Sequence, residues 1–403
     1  MTASALPLSG IRVLELGTVI AGPAVGLFLA DLGADVVSIE NPRADPFQVA
    51  RPSTAFLRRN KRSLTIDLAR PAGRDLFLDL VRTADVVVEN YAPGAVERIG
   101  VGYQAASAVN NRIVYCSIKG FLPGPYSTRL AADELAQMMG GLAYMTGLPR
   151  KPMRAGASIT DLGVASFATM AILAALVQRE RSGIGQHIHG GLFETVAFWM
   201  SQHLAILGAT GTAPEPTSVR GVWEQMRWPI YDVFDAAEGR QVFVGILNDK
   251  QWASFCAEFD LGSLKDDPDL QTNEQRLHSR QRLLDHLGPL LRNCASDELM
   301  GRLERAQVLF APINSPADLL ADPHLRATGR FLQTEFKGKR FPLPALPLQS
   351  SAYRLGIRHQ PPPPGKDTLA LLEESGYDRE RVAELRRQGV IQVAGNSKQE
   401  DER

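Results

Sequence analysis

Short apolar runs alternate with helical spacing through the first part of the chain. The run at residues 11–16 predicts a buried strand, and residues 23–32 have the apolar spacing of a helix that ends at Gly33. Strands that alternate with helices indicate a parallel sheet. The pattern continues with predicted strands at residues 35–40, 85–89 and 112–117 and a predicted helix at residues 72–83.

The middle of the chain changes character. A long apolar helix is predicted from Asp161 to about Arg179, followed by a strand after Gln186 and a second helix from about Leu192. The next stretch is rich in Gly, Thr and Pro, which is typical of a linker. A hairpin that turns at Glu238 and Gly239 comes next, with helices near residues 250–259, 275–291 and 296–306.

These patterns predict two domains in an α/β protein. With 403 residues, 44% of them apolar, the chain is long enough to bury a substantial core. The predicted division is a large domain at residues 1–207, a linker at 208–228, a small α+β domain at 229–325, and a return linker with the C-terminal part of the large domain at 326–403.

Composition narrows the classes of partner. The 44 basic and 44 acidic side chains cancel, so the chain has no overall electrostatic attraction to nucleic acid or to an anionic membrane. Cys116, Cys256 and Cys294 match neither a disulfide framework nor a metal cluster, so we expect no metal. No signal peptide is recognised, and the apolar core of the long helix, residues 164–177, is shorter than a bilayer span, so we expect a cytoplasmic protein without membrane contact.

One segment departs from this neutral balance. Between Arg43 and Arg74 eight basic residues face two acids, Asp45 and Asp67, a local balance of +6. A site for a phosphorylated ligand and a solvated charged face both explain such a run. The glycines of the first turn do not have the dinucleotide-binding spacing, so NAD binding is not predicted. The basic residues are Arg43, Arg51, Arg58, Arg59, Lys61, Arg62, Arg70 and Arg74.

Asp161 has two compatible interpretations. It stands just ahead of the long apolar helix, where an aspartate commonly caps the helix. A carboxylate in the positive field of a helix N-terminus is also expected to remain ionised at neutral pH and is able to attack a thioester carbonyl. The sequence therefore offers Asp161 as a cap, as a nucleophile, or as both.

Several stretches in the same order resemble the class III CoA-transferase family (CaiB/BaiF type), which includes formyl-CoA transferases and the related α-methylacyl-CoA racemases. The resemblance runs almost from end to end. Its N-terminal motifs are Leu-Ser-Gly-Ile-Arg-Val-Leu-Glu-Leu at 8–16, Ala-Gly-Pro at 21–23, Asp-Leu-Gly-Ala-Asp-Val-Val at 31–37 and Asn-Lys-Arg-Ser-Leu at 60–64. Others are Ala-Asp-Val-Val-Val-Glu-Asn-Tyr at 84–91, Ile-Thr-Asp-Leu at 159–162, Ala-Pro-Ile-Asn at 311–314 and Pro-Pro-Pro-Gly-Lys-Asp-Thr at 362–368.

The resemblance implies a Rossmann-like large domain, a smaller α+β domain and an obligate homodimer of two interlocked rings. It places Asp161 at the family's catalytic aspartate, which forms a mixed anhydride and then an enzyme CoA-thioester. Coenzyme A is then expected as the acyl-CoA co-substrate, with carboxylic acids as its partners. The implied CoA contacts are Val19, Ala21, Ile66, Asn90, Tyr91 and Arg98, the last one with phosphate.

The chain departs from formyl-CoA transferases at positions that bear on the substrate. Their arginine after the second strand is Asn41 here, with Arg43 as a substitute CoA contact, and their first-turn glutamine is Ile20. Their lysine before the helix of the fifth strand is Ala131 here. These differences disfavour formate and oxalate, and we expect a small dicarboxylic acid such as succinate or a five-carbon relative.

Two other functions stay open on the sequence alone. An α-methylacyl-CoA racemase needs a base and an acid on opposite faces of the substrate, and the family's histidine for this is Ala132 here, with Asp133 or Glu134 as possible substitutes. A catalytically silent CoA-binding protein is the third hypothesis, against which Asp161 argues.

Overall fold

The computed structural model describes residues 5–43, 51–148, 150–219 and 226–394. The chain packs into two compact units. The first contains the described residues of Met1–Ala143, Arg154–Thr212 and Ala327–Arg403. The second contains those of Tyr144–Met153 and Ala213–Arg326, so it includes a short segment that lies inside the predicted large domain. Asp45 and part of the predicted linker lie outside the described residues.

A six-stranded parallel sheet forms the centre of the first unit, in the order β3-β2-β1-β4-β5-β6. Val13 lies opposite Val36 of β2 and Val86 of β4, which fixes the register at the middle of the sheet. This confirms the Rossmann-like α/β prediction. The strands are β1 (Arg12–Leu16), β2 (Asp35–Glu40), β3 (Lys61–Thr65), β4 (Val86–Glu89), β5 (Val114–Lys119) and β6 (Gln186–Gly191).

Helices cover both faces of this sheet, as a parallel sheet requires. The first unit also has a two-stranded antiparallel sheet, β10 (Phe331–Phe336) with β11 (Lys339–Pro344). Its helices are α1 (Ala21–Asp31), α2 (Pro71–Val81), α3 (Ala95–Ile99), α4 (Tyr103–Val109), α5 (Asp133–Met139), α7 (Ile159–Ser182), α8 (Leu192–Trp199), α9 (Ser201–Thr210), α17 (Thr368–Glu374) and α18 (Arg379–Arg387). Helices α6 (Leu142–Thr146) and α16 (Pro323–Ala327) span the boundaries between the two units.

The apolar strands bury side chains on both faces. On one face Leu14, Val37 and Val87 share a core with Phe77 of α2 and Leu371 of α17. On the other face α1 and α7 pack against each other and α7 packs on β5 and β6. The near-continuous apolar runs of the sequence therefore reflect strands without a solvent-exposed face.

Strand β3 was not predicted, because its sequence is polar. Its polar side chains reach buried partners: Lys61 Nζ donates to Glu15 Oε2 at 2.6 Å, and Ser63 Oγ donates to Glu40 Oε2 at 2.6 Å. Thr65 Oγ1 donates to the Gln392 carbonyl at 2.7 Å. These partners lie up to 327 residues away in the chain, so the local pattern carries no strand signal.

The phosphate interpretation is wrong for much of the basic segment. Arg59 is buried with Asp31 at 2.7 Å, and Lys61 is buried with Glu15. Arg58 pairs with Glu40, and Arg62 pairs with Glu374. Four of the eight basic side chains, those of Arg58, Arg59, Lys61 and Arg62, therefore form ion pairs within the fold. Since buried charges need partners, the acids that neutralise this run come from other elements of the fold.

The second unit is built on a three-stranded antiparallel sheet, which contains the predicted hairpin with its turn at Glu238 and Gly239. The helix predicted at 275–291 is two helices that meet at Ser279. The strands are β7 (Ile230–Asp235), β8 (Gln241–Ile246) and β9 (Leu309–Pro312). The helices are α10 (Asp249–Glu258), α11 (Gly262–Lys265), α12 (Asn273–His278), α13 (Arg280–Arg292), α14 (Ser296–Arg305) and α15 (Pro316–Leu319).

The long helix α7 is longer than its apolar core suggested. At 24 residues it meets the length and composition of a membrane span, so the argument that it is too short was wrong. Its residues Val164, Ala168 and Ile172 are buried in the first unit, and a buried core helix meets the same criteria.

We predict that Lys61→Met destabilises the protein by about 3–5 kcal/mol, because Glu15 then keeps a buried charge without a partner. Urea unfolding followed by circular dichroism at pH 7 measures this. Burial already raises the pKa of Glu15, and Lys61 opposes that rise. Without Lys61 the pKa rises further, so the loss of stability must shrink as pH falls and Glu15 takes up a proton.

The matched control is the double variant Glu15→Gln with Lys61→Met, which removes both charges and is expected to recover most of the lost stability. An equal loss in the single and double variants would show that the side-chain volume matters and the ion pair does not.

Candidate active site

The order of the sheet strands reverses between β1 and β4, and this is where open α/β sheets bind ligands. The Asn90 side chain joins the ends of the two strands. Its Oδ1 accepts from the Thr18 amide at 2.7 Å, and its Nδ2 donates to the Thr18 carbonyl at 2.9 Å. A Cβ on Gly22 would lie 2.8 Å from Asn90 Oδ1, so a glycine is needed for this close approach.

The turn after β1 is strained and open. Val19 has φ +62° and its side chain is 74% exposed, which is an unfavourable backbone conformation for a β-branched residue. Ile20, which precedes α1, makes no side-chain hydrogen bond to the helix, and Ala21 is buried. The first amides of α1 therefore face the crevice without a side-chain cap, and strain of this kind clusters at ligand-binding turns.

Asp161 lies in the first turn of α7, the crossover helix between β5 and β6. Such a helix begins at the carboxyl edge of a parallel sheet, the same edge that carries the turn after β1 and Asn90. A Cβ on Gly190, near the end of β6, would lie 3.1 Å from Val164, which places this turn of α7 beside the end of the strand. The fold thus brings the predicted nucleophile to the ligand-binding edge.

The cap of α7 comes from Asp133 of α5. Asp133 Oδ1 accepts from the Thr160 amide at 2.8 Å and from the Asp161 amide at 3.2 Å, while Ser158 forms no side-chain cap. Gln137 Nε2 donates to Asp133 Oδ2 at 2.5 Å. Asp133 is 3% exposed, so its position is held on every side. Asp161 is therefore free of the capping role that the sequence offered for it.

Burial and two neighbouring carboxylates, Asp133 and Glu134, raise the pKa of Asp161 to about 7. The sequence-based prediction that Asp161 remains ionised at neutral pH considered only the field of the helix N-terminus and left out burial and these two carboxylates. At pH 7 about half of the molecules hold a protonated Asp161. Asp133 has two opposed effects, because its hydrogen bonds fix the helix terminus while its charge makes the Asp161 carboxylate more basic.

Arg154 lies at the same helix terminus. Its Nη1 is 2.8 Å from Glu134 Oε1 and 3.6 Å from Asp133 Oδ2. The backbone amide of the next residue, Ala155, donates to Gln137 Oε1 at 2.9 Å, which fixes the loop that carries the arginine. A cationic group is thus held beside Glu134 and Asp133, the two carboxylates that neighbour Asp161.

Gly163 allows an aromatic ring to approach the first turns of α7. A Cβ on Gly163 would lie 2.2 Å from Cζ2 of Trp199, so the indole packs directly against the backbone there. This contact covers one side of the helix two residues after Asp161. No pattern in the sequence connects Trp199 with the site.

A second concave region lies between α2 and α3. It is a cavity of about 380 Å³ lined by three arginines, Arg70, Arg74 and Arg98. Leu68, Pro71 and Ile99 supply apolar walls. Guanidinium groups around an apolar cavity suit a phosphorylated aromatic ligand such as a nucleotide.

The structure brings together some of the predicted CoA contacts. Val19, Ala21 and Asn90 meet at the crevice, and Arg98 lines the arginine cavity. Ile66 is 1% exposed and its amide donates to the Glu40 carbonyl, so the structure does not present this residue to a ligand. The two remaining contacts are Arg43, whose Nη2 is 2.8 Å from Asp67, and Tyr91, whose amide donates to Glu89 at 2.8 Å.

Sequence reasoning missed Arg70 and Arg74 as members of one cavity with Arg98, because it treated them only as part of a charged run. Gln137 and the capping role of Asp133 were also missed, and no local signal announces them. Over the described ranges, no group of three or more His, Cys, Asp or Glu side chains is arranged to hold a metal ion. The expectation of metal-free catalysis stays a prediction.

Comparisons with known proteins agree with this geometry. The model of CoA-transferase family III matches residues 8–368. An acyl-CoA transferase of Fusarium pseudograminearum is 33% identical over 95% of this chain and 88% of its own length. A human succinyl-CoA:glutarate CoA-transferase is 31% identical over 96% of this chain and 90% of its own. The crystal structure of a CAIB/BAIF family protein from Brucella suis has a TM-score of 0.83 and 30% identity, covering 92% of this chain and all of that one.

We predict that Asp161→Asn stabilises the protein at alkaline pH. An aspartate has a pKa near 3.9 in the unfolded chain, so the folded state holds a proton that the unfolded state lacks between pH 4 and 7. Above pH 7 the ionised carboxylate destabilises the fold, and the amide avoids this by a few kcal/mol. Urea unfolding at pH 5, 6.5 and 8.5 is expected to show a difference that grows with pH.

The control is Asp260→Asn, since the side chain of Asp260 is almost fully exposed. Its effect on stability is expected to be small and independent of pH. A pH-independent effect of Asp161→Asn would contradict the raised pKa of Asp161.

Proposed function

The chain belongs to CoA-transferase family III and is a CoA-transferase, and from this premise we propose that it exchanges coenzyme A between small dicarboxylic acids with Asp161 as the covalent nucleophile. The family resemblance found in the sequence is thereby confirmed. The observation that carries the proposal is the placement of Asp161, whose pKa of about 7 makes it a more basic carboxylate than an ordinary aspartate.

Transfer begins when a carboxylate oxygen of Asp161 attacks the thioester carbonyl. The C–S bond breaks, CoA leaves as a thiolate, and a mixed anhydride joins Asp161 to the donor acid. The thiolate then attacks the Asp161 carbonyl and expels the donor acid, which leaves an enzyme CoA-thioester. The acceptor carboxylate attacks that thioester, which expels CoA thiolate and forms a second mixed anhydride between Asp161 and the acceptor. The thiolate then attacks the acceptor carbonyl of this anhydride, which releases the new acyl-CoA and regenerates the Asp161 carboxylate.

The surroundings of Asp161 suit this chemistry. The attacking form must be ionised, and a carboxylate with a pKa near 7 is more nucleophilic than one near 4 while half of it is ionised at neutral pH. Each intermediate is covalently attached through the Asp161 carbonyl at the first turn of α7. Asp133 fixes this turn by accepting hydrogen bonds from the Thr160 and Asp161 amides, so the carbonyl keeps one orientation throughout.

For the CoA moiety we propose binding along the carboxyl edge of the sheet. The strained turn at Val19 and the open first amides of α1 receive the part near the thioester, and Asn90 holds that turn in place. The arginine cavity receives the phosphorylated nucleotide through Arg70, Arg74 and Arg98. Because Ile20 has no hydrogen-bonding side chain, backbone amides must supply the polar contacts of the first turn.

The dicarboxylate proposal rests on the relatives. The human relative is named for succinate and glutarate, acids of four and five carbons, and it matches this chain over nearly its full length. The departures at Ile20, Asn41 and Ala131 from the formyl-CoA transferase pattern agree with a substrate other than formate or oxalate. The cytoplasmic location inferred from the sequence stays a prediction.

We also propose the interlocked homodimer, and exposed apolar side chains support it. Phe198 and Leu204 on α8 and α9, and Met170 and Val177 on α7, are more than half exposed in the single chain. None of the residues of α9 is buried. Contiguous apolar surface of this kind is typical of an obligate interface.

The racemase alternative loses support at Asp133 and Glu134, the two substitutes for the histidine that Ala132 replaces. Both oxygens of Asp133 accept hydrogen bonds, from the Thr160 and Asp161 amides and from Gln137, in a buried position. Glu134 is paired with Arg154 at 2.8 Å. Asp133 therefore serves the helix terminus and Glu134 an ion pair.

We predict that wild-type protein incubated with succinyl-CoA and then with hydroxylamine gains a hydroxamate on Asp161, because an anhydride or thioester of that carboxyl is an activated acyl group. Intact-protein and peptide mass spectrometry detect it. Asp161→Asn is expected to form no adduct and to lose transfer activity by a factor of at least about 10⁴, while CoA still binds.

Glu304→Gln is a matched control, since it changes a carboxyl of the second unit and should trap normally. Exchange of the substrate α-proton with deuterated water, in the absence of any adduct, would favour the racemase and overturn the transferase mechanism.

We predict that kcat/KM rises with pH through an apparent pKa near 7 and reaches a plateau when Asp161 is ionised. Asp133→Asn removes the nearer negative charge, so the pKa of Asp161 falls and the rising limb moves to lower pH. The plateau is expected to fall as well, because an amide accepts hydrogen bonds more weakly than a carboxylate. A limb that stays near pH 7 in Asp133→Asn would contradict the electrostatic role of Asp133.

A further inference from the structure

The environment of Asp161 poses an electrostatic problem for a dicarboxylic acid. Asp161, Asp133 and Glu134 already place three carboxyl groups at the N-terminus of α7. The second carboxylate of the substrate, the one that does not react, brings another negative charge to this place. Without a cation nearby, the site would favour monocarboxylic acids, since like charges at short range repel each other.

Arg154 is a cation at this position. Its guanidinium contacts Glu134 and Asp133, and both contacts use the same nitrogen, Nη1. Over the described part of the chain, no hydrogen bond of its Nε or Nη2 is found. The side chain is 39% exposed and that of Glu134 is 55% exposed, so the pair is open to a ligand.

The distance from Arg154 to Asp161 fits a short diacid. Arg154 and the Asp161 amide contact the two oxygens of one carboxylate, that of Asp133, at 3.6 Å and 3.2 Å. Because those oxygens are about 2.2 Å apart, the guanidinium and the Asp161 amide lie within about 9 Å of each other. The carboxyl carbons of a four- or five-carbon diacid are about 4–5 Å apart, so one such molecule is long enough to reach from Asp161 to Arg154.

We propose that Arg154 is the specificity-determining residue of the site and that it binds the non-reacting carboxylate of the dicarboxylic acid in exchange for Glu134. This rests on the proposed function, since it assumes that Asp161 receives the reacting carboxyl group. A guanidinium pairs a carboxylate through two parallel hydrogen bonds, which its free edge allows.

The exchange requires little free energy. An exposed ion pair such as that of Arg154 and Glu134 contributes little to stability, and Glu134 returns to solvent when it is released. The loop of Arg154 does not need to move, because the Ala155 amide is fixed to Gln137. Glu134 thus holds the arginine in place until a dicarboxylate arrives.

The other arginines that the sequence offered for this role are less suitable. Arg58 has a side chain that is mostly buried, with Glu40 at 2.5 Å and the Pro362 carbonyl as partners. Arg227 is paired with Glu274 in the second unit. Arg51 has a partner as well. Arg154 contacts Asp133, the residue that binds the Asp161 backbone, whereas the partners described for Arg58 and Arg227 lie elsewhere.

The test compares two donors of equal carbon number, succinyl-CoA and butyryl-CoA, in the first half-reaction. The readout is the rate of hydroxamate formation on Asp161 as a function of donor concentration, at pH 8.5, where Asp161 is ionised in every variant. Wild-type protein is expected to prefer succinyl-CoA. In Arg154→Gln this preference falls by at least about tenfold through a weaker apparent affinity for succinyl-CoA, with butyryl-CoA changed less than about threefold.

Glu134→Gln is the second variant, and it keeps the proposal testable where Arg154→Gln does not fold. Without Glu134 as a competitor, Arg154 is expected to bind succinyl-CoA about two- to fivefold more tightly relative to butyryl-CoA, because the lower pKa of Asp161 in this variant affects both donors alike. Arg181→Gln, an exposed arginine at the far end of α7, is the control and should leave the preference unchanged.

The outcomes separate the two proposals. Equal losses with both donors in Arg154→Gln, or an unchanged preference, would overturn the role of Arg154 while trapping on Asp161 still supports the transferase mechanism. Absence of any Asp161 adduct in the wild-type protein would instead overturn the mechanism on which the inference rests.

Discussion

The buried carboxylate of Asp133 is the constraint on which the site depends. It accepts hydrogen bonds from the amides of Thr160 and Asp161, and so determines where α7 begins and how its first turn is oriented. Its negative charge also raises the pKa of the Asp161 carboxyl group. Gln137 holds the second oxygen of Asp133, and the same glutamine fixes the loop of Arg154. One buried group thus connects Asp161, the pKa of its carboxyl group and the neighbouring cation.

The parallel sheet explains why these groups lie near a ligand crevice. In a sheet with all strands in one direction, every strand-to-helix connection lies at the carboxyl edge. The turn at Val19, the side chain of Asn90 and the start of α7 all belong to such connections. The fold therefore gathers backbone amides, a carboxylate and arginines along one edge, and the chemistry of CoA transfer needs all three kinds of group.

The arginines of this chain have two different roles, and tertiary partners distinguish them. Arg59 neutralises Asp31 inside the fold, as Lys61 neutralises Glu15. Arg74 and Arg98 instead line an open cavity. A paired arginine and an arginine that lines a cavity look the same in a run of basic residues. The carboxylates that pair with half of this run come from other elements of the fold.

The sequence by itself determined the alternation of strands and helices, the family and the identity of Asp161, because apolar periodicity and ordered motifs are local properties. It did not determine strand β3, whose polar side chains are buried because they form hydrogen bonds with distant partners such as Glu15 and Gln392. Nor did it reveal that Asp133 caps α7 and raises the pKa of Asp161, since that contact spans 28 residues. Burial and charge proximity exist only in the folded chain, and for this reason only the tertiary structure decided the pKa of the Asp161 carboxyl group.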